Sequence, residues 1–306
     1  MGQLFALLFS ASYGLSNVFA SKAIEHEEID RITGQYITLF VNSIINLAVL
    51  IFYLAFCGRI EINAPGIIFF GIAGFLNSFF SRGVFFSAIP YIGVSRAGVL
   101  KITSPMFAII GGVLVLDEVL LIKDLLGAIV VFAGIIYISI DTMRRTHNSE
   151  GLSLNNGNSF LNISGKGIAL GLLSGFLLGA GNVLRKIGVT YIPSSILGVC
   201  VGSVAAFLSI IIYQLFKGEG KKLSSATRSM NREYFISGIF SSLALYSIFM
   251  ALKYIPVSLA NSIGASESLF TMLWSLIICG RKELLTIHTF IGAIVVIAGI
   301  TILMIY

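Results

Sequence analysis

The stretch Phe69–Glu118 reads FFGIAGFLNSFFSRGVFFSAIPYIGVSRAGVLKITSPMFAIIGGVLVLDE. It holds two apolar runs, each of the ~20 residues that a helix needs to cross a bilayer. A short turn containing Pro90 is expected between them. Three cations, Arg82, Arg96 and Lys101, lie inside the runs. A charge in hydrocarbon costs about 2.5–3.5 kcal/mol on insertion scales, so each needs a cavity, a partner or a route to the interface.

The same pattern extends outward along the chain. The 306 residues are 57% hydrophobic and 11% charged, a ratio that excludes an ordinary soluble domain. Apolar runs predict ten spans at 2–22, 33–57, 66–87, 91–115, 119–140, 165–187, 193–216, 234–252, 256–279 and 284–306. Their length argues against β-strands, which would alternate over ~10 residues. The net charge of +6 lies mostly in the connections, where it suits lipid headgroups better than nucleic acid. Cys57, Cys200 and Cys279 are isolated, and His26, His147 and His288 are scattered, so neither a disulfide framework nor a metal site is expected. Gly2–Lys22 lacks a basic leader segment and reads as the first helix. No cofactor is implied, and without a phosphate-binding loop direct ATP coupling is not expected.

The second half of the chain echoes the first. Asn17 in GLSNVFASK matches Asn182 in GAGNVLRK at an offset of 165. At that offset Gly2, Ala6, Ser10 and Gly14 fall on Gly167, Gly171, Gly175 and Gly179. Small residues every fourth position let a neighbouring membrane helix approach closely. Tyr91–Ser95 (YIGVS) returns as Tyr254–Ser258 (YIPVS), and Gly127–Val131 (GAIVV) returns unchanged as Gly292–Val296. The chain thus divides into a first five-helix repeat at 1–140, a linker at 141–164 and a second five-helix repeat at 165–306. Five spans per copy is odd, so the copies enter the membrane from opposite sides. The expected fold is an all-α membrane protein of ten transmembrane helices in two inverted repeats. Such a pair places a binding site near the midplane and permits alternating access.

The ten spans, the paired Asn-Val positions, Pro105 followed by Glu118, and the G-A-x-x-x-x-A-G helix after Glu118 and Glu283 resemble the drug/metabolite transporter superfamily. Specifically, they resemble its EamA-type members with two tandem five-helix domains, over about Leu4 to Tyr306. The resemblance implies secondary transport of small metabolites, a central cavity between the halves, and both termini in the cytoplasm. Two positions depart from the family pattern. Ser268 stands where the first copy has Pro105, so no matching kink is expected there, and Glu267 adds an acid.

The intramembrane polar residues carry the functional expectation. Asn77, Ser78, Ser81 and Arg82 make one polar helix face. Arg82 and Lys101 are read as facing a cavity, and Arg96 as reaching the interface. Glu267, with Thr271 and Trp274 on its face, is open to three roles: an ion pair with Arg82 or Lys101, proton coupling, or binding a substrate amine. The candidate substrate-binding set is Arg82, Lys101, Glu267, Asn77, Ser81, Tyr13 and Trp274; Ser16, Tyr91, Tyr246 and Tyr254 are further lining candidates, with Tyr91 and Tyr254 equally open to a place in the interfacial belt. Two cations against one acid suit an anionic or zwitterionic solute such as an amino acid or organic acid. Asn17 and Asn182 are read as interhelical hydrogen-bonding residues, and Glu118 and Glu283 as caps or anchors.

The expected partners are a small-molecule substrate and the lipid bilayer of a cell membrane, with no nucleic acid. A coupling proton and a monomeric or homodimeric state stay open. The competing classes are a membrane enzyme on a lipid-phosphate substrate and a channel. The only acid cluster, Glu25–Asp30, lies in one loop without the companions that a Mg²⁺ enzyme needs. Orientation is contested. Termini inside would leave Arg59, Lys123, Arg185, Lys186 and Lys253 in cytoplasmic connections, and put Lys22, Arg31, Arg144, Arg145, Lys166, Lys217, Lys221, Lys222, Arg228, Arg232, Arg281 and Lys282 outside, against the positive-inside rule.

Overall fold

The computed structural model describes residues 1–27, 31–56, 58–149, 165–218, 232–280 and 287–304. Every regular element among them is helical. In chain order these are α1 Gly2–Glu27, α2 Arg31–Phe56, α3 Ala64–Gly74, a π-helical turn Phe75–Phe80, α4 Ser81–Lys101, α5 Ser104–Leu116, α6 Ile122–Ser149, α7 Gly165–Tyr191, α8 Ser195–Phe216, α9 Arg232–Tyr254, α10 Val257–Gly264, α11 Glu267–Cys279 and α12 Ile287–Met304. Among the described residues seven helical segments are long and apolar enough to span a bilayer, and Ser104–Leu116 and Phe290–Met304 are shorter apolar helices. Large apolar side chains such as Phe52, Leu114, Ile212 and Ile277 point outward, as a lipid-facing belt requires. Cys57, Glu283, residues 28–30 and residues 150–164 lie outside the described residues, as do the side chains of His26, His147 and Arg96; residues 141–149 of the expected linker continue α6, and Glu25–Glu27 of the expected loop end α1.

The turn expected at Pro90 takes another form. Helical backbone continues through Pro90, yet the chain doubles back there. Lys101 Nζ lies 5.3 Å from the Phe85 ring centroid, whereas sixteen residues of straight helix would separate them by about 24 Å. Proline lacks the N–H and its ring pushes the preceding turn away, so it bends the helix without ending it. The true interruption comes later, at Ile102 and Thr103.

Both arms of this reversal run along α7. Going one way, Gly66 faces Ile192, Phe70 faces Gly188, and Ser81 Oγ donates to the Ser174 carbonyl at 2.9 Å. Coming back, Ile92 faces Gly167, Leu100 faces Gly171, Phe107 faces Gly179 and Val183 faces Gly111. The arrangement recurs around α1. Gly2 meets Tyr254 and Ile255, Ser16 Oγ donates to the Ser237 carbonyl at 2.9 Å, Ser10 Oγ donates to the Ile263 carbonyl at 3.2 Å, and Gly14 meets Phe270 and Thr271. The first helix of each half therefore packs into the folded-back pair of the other half. The glycine strip is what lets those backbones meet.

α6 and α12 cross through their copied motifs. A Cβ on Gly127 would meet Leu303 and the Gly299 carbonyl; one on Gly292 would meet Ile138 and the Gly134 carbonyl. The two chain ends share one end of the bundle, where Gln3 Nε2 donates to the Leu303 carbonyl at 3.0 Å. That end is filled by the main apolar core, with Leu252, Val257, Ala260 and Ile263 fully buried. Two smaller clusters, around Ile37 and Tyr234 and around Ala88 and Ile92, flank the opposite end.

Candidate functional site

Two broken helices meet at the centre. α5 begins at Ser104 and α11 at Glu267, each just after an interruption of the helix before it. The break before α11 corrects the expectation that the second copy would lack a kink for want of proline. There Ser266 Oγ donates to the Ile263 carbonyl at 2.7 Å and Ser268 Oγ to the Ala265 carbonyl at 3.3 Å. These hydroxyls take up backbone carbonyls at the break, so the second copy is interrupted at the position of the first without a proline there. Both helices present their N-termini, with the partial positive charge of the helix dipole, to the same space.

That space is a cavity of about 130 Å³. Its wall includes Tyr13, Arg82, Lys101, Ser104, Pro105, Glu267 and Ser268. Tyr13, Asn77, Arg82, Lys101 and Glu267 of the expected set are thus brought together. Ser81 and Trp274 are not, since each is committed elsewhere. Ser81 is fully buried on Ser174, and Trp274 Nε1 donates to the Ala11 carbonyl at 3.0 Å. Ser16 is likewise taken by Ser237. Tyr91 and Tyr254 sit exposed at the bundle ends, Tyr91 under Lys166 and Tyr254 stacked on Phe5. Tyr246 is not part of the cavity wall.

The charges around the cavity are held loosely. Arg82 donates to the Tyr13 hydroxyl, and Lys101 lies over Phe85. Lys101 and Arg82 act on Glu267 through space, but no direct ion pair joins the carboxylate to either among the described residues. The expected ion pair is therefore not formed. Glu267 sits instead in the first turn of α11, where the helix N-terminus favours a negative charge.

Beneath these groups lies a polar floor that the sequence reading missed. Arg185 is 6% exposed and lines the cavity with Asn77, Asn182 and Asn261. Arg185 Nη1 donates to Asn182 Oδ1 at 3.2 Å, and Asn182 Nδ2 donates to Asn261 Oδ1. The Asn77 amide serves two ways. Turned one way it donates to Asn182 Oδ1 at 2.9 Å; turned the other it accepts from Arg185 at 3.0 Å and donates to the Leu178 carbonyl at 3.0 Å. The π-helical turn at Phe75–Phe80 widens the helix where Asn77 enters this cluster. The guanidinium also lies 5.0 Å from the Phe249 ring, while its Nε has no partner. Asn42 and Ser241 complete the polar wall.

Arg185 and Lys186 were placed in a connection because hydropathy ends that span near residue 187. The helix continues to Tyr191, which carries both inside the protein. The missed signal was the spacing Asn182 to Arg185, which puts both on one helix face. Cations consequently come from both halves, not from the first alone. Lys186 Nζ donates to the Leu252 and Ile255 carbonyls, and Glu118 accepts from the Val257 and Ser258 backbone N–H groups and the Ser258 hydroxyl. Glu118 is thus a cap, as one of its readings held, and it caps a helix of the other half.

Comparison with known proteins agrees with this fold. One solved protein, described only as a crystal structure, superposes with a TM-score of 0.73 at 12% identity, covering 99% of this chain and 95% of that one. At that identity the likeness concerns the fold alone. No protein of curated function matches the sequence. The sequence profile of the EamA-like transporter family matches residues 1–140 and again residues 165–305. Nearly the whole chain is covered, and the protein belongs to the EamA-like transporter family.

Proposed function

We propose that this multi-pass membrane protein is a secondary transporter that moves a small anionic or zwitterionic metabolite, such as an amino acid or organic acid, by alternating access. The observation that carries the reading is the central cavity. Arg82, Lys101 and Arg185 face it against the single acid Glu267, and two half-helix N-termini add positive potential. Fixed positive charge at a break in two helices suits the acidic group of a solute better than a neutral or cationic one.

The exchange of first helices between halves supports ten spans in two inverted five-helix repeats, divided at 1–140 and 165–306. Rocking of one folded-back pair against the other would open the closed end and close the open one. The cavity deepens from the partly exposed Arg82, Lys101 and Glu267 to the buried Arg185 and asparagines. The sealed Leu252–Ile263 end lies below. In this state the solute enters from the side of the bundle opposite the chain termini.

Arg82→Gln and Lys101→Gln are expected each to abolish uptake by proteoliposomes while leaving the thermal unfolding midpoint near that of the unsubstituted protein. Full transport by both variants would remove the basis for the reading.

A further inference from the structure

We infer that the solute is a small dianion with two separated acidic groups, one seated on Arg185 and the other between Arg82 and Lys101. This deepens the acid-carrier reading and rests on it.

The first argument is charge. Among the described residues three cations and one acid line the cavity, which leaves at least two positive charges without a counterion there. Arg185 is buried, where an uncompensated charge is costly, while Arg82 and Lys101 are partly exposed and are penalised less. Among the described residues each cation has neutral contacts: a tyrosine hydroxyl for Arg82, an aromatic ring for Lys101, amides and an aromatic ring for Arg185. Such contacts satisfy donors but cancel no charge. A doubly negative solute would neutralise the cavity; a singly negative one would not.

The second argument is position. Asn77 reaches Arg185, and Arg82 lies five residues further along the same helical run. That rise is about 7 Å. Burial agrees with two levels, since Arg185 is buried at the floor and Arg82 with Lys101 is partly exposed near the mouth. Two carboxylates on a short carbon chain match such a spacing, since each can meet its own level. The floor is specialised for an acid. Asn182 and, in its turned orientation, Asn77 accept from the guanidinium, Asn261 braces Asn182, and among the described residues no carboxylate bonds it. A planar guanidinium held this way offers paired donors to a carboxylate. Glu267, left without an ion-pair partner, stands where an ammonium on the same carbon chain would be accepted. Comparing a diacid with its amino derivative reports on that contact separately.

The test is isothermal titration of the purified full-length protein with succinate, glutarate, aspartate, acetate, dimethyl succinate and putrescine. Succinate or glutarate is expected to bind at least about tenfold more tightly than acetate, as the loss of one desolvated charge pair implies. Dimethyl succinate is expected not to bind. Arg185→Gln should weaken diacid binding at least about tenfold, with Arg185→Lys intermediate because it keeps the charge and loses the fork. Should Arg185→Gln fail to fold, Arg82→Gln carries the test, and its preference for succinate over acetate should fall to near unity. Equal affinity for acetate and diacids would overturn the dianion inference and leave the acid carrier standing, as would unchanged diacid affinity in both Arg185 variants. Binding of putrescine with no acid bound would overturn the acid carrier itself. Binding of none of the acids would overturn both.

Discussion

A left-handed residue closes each of the two half-helices that leave the cavity. Asp117, at φ 52°, ends α5, and Gly280, at φ 63°, ends α11 at the equivalent position of the second half. Glycine adopts this conformation freely and aspartate tolerates it, whereas a branched side chain is penalised by about 1–2 kcal/mol. Asp117→Gly is therefore expected to hold or raise the unfolding midpoint in detergent, and Asp117→Val to lower stability by about 1–2 kcal/mol. Equal stability of the two variants would contradict the assigned conformation. The hydropathy of the chain revealed Arg82 and Lys101 because apolar residues surround them. It concealed Arg185, which is followed at once by Lys186 and so resembles the end of a span. Only the burial of Gly188 and Val189, four residues or less beyond, shows that the helix continues through protein rather than ending in headgroups.

Among the helices, the joint between α9 and α10 is held by two charged side chains, Lys186 of its own half and Glu118 of the other. Lys186 takes the carbonyls at the end of α9, and Glu118 takes the N–H groups at the start of α10. Charge-assisted bonds at both sides of Pro256 keep the closed end together. Glu118→Gln keeps the shape and removes the charge, and is expected to lower stability by about 1 kcal/mol, in the range of a lost helix cap. A second drop with Lys186→Met that is smaller in the double variant than the sum would show that both hold one joint. Unchanged midpoints in both single variants would mean that the clamp contributes nothing. Some of these elements were legible in the sequence and others were not. Pro90 marked the reversal, because a proline inside a helix removes a hydrogen bond and bends the chain. The break at Ser266 was not legible, because serine hydroxyls bond local carbonyls in unbroken helices too, as Ser209 and Ser247 do, so residue type alone does not mark it.

Across the whole molecule, the repeated motifs foretold the packing. The offsets that relate Gly2 to Gly167 and Tyr91 to Tyr254 also relate their contacts, since each glycine faces the tyrosine–isoleucine pair of the other half. A two-fold exchange of this kind gives two nearly equivalent packings, which is the condition for switching between them. A cysteine placed at Leu252, fully buried in the sealed end, should resist a water-soluble thiol reagent in the protein alone. It should become reactive when solute drives turnover, in a background without the native cysteines. Resistance under both conditions would argue against opening at that end. Counterflow separates a carrier from a channel and does so on the intact protein. Proteoliposomes loaded with excess unlabelled diacid and diluted into a trace of labelled diacid should accumulate label transiently above equilibrium. The rate should be saturable, and Arg82→Gln should abolish it. Label that only equilibrates, without overshoot or saturation, would contradict a carrier and indicate an open pore.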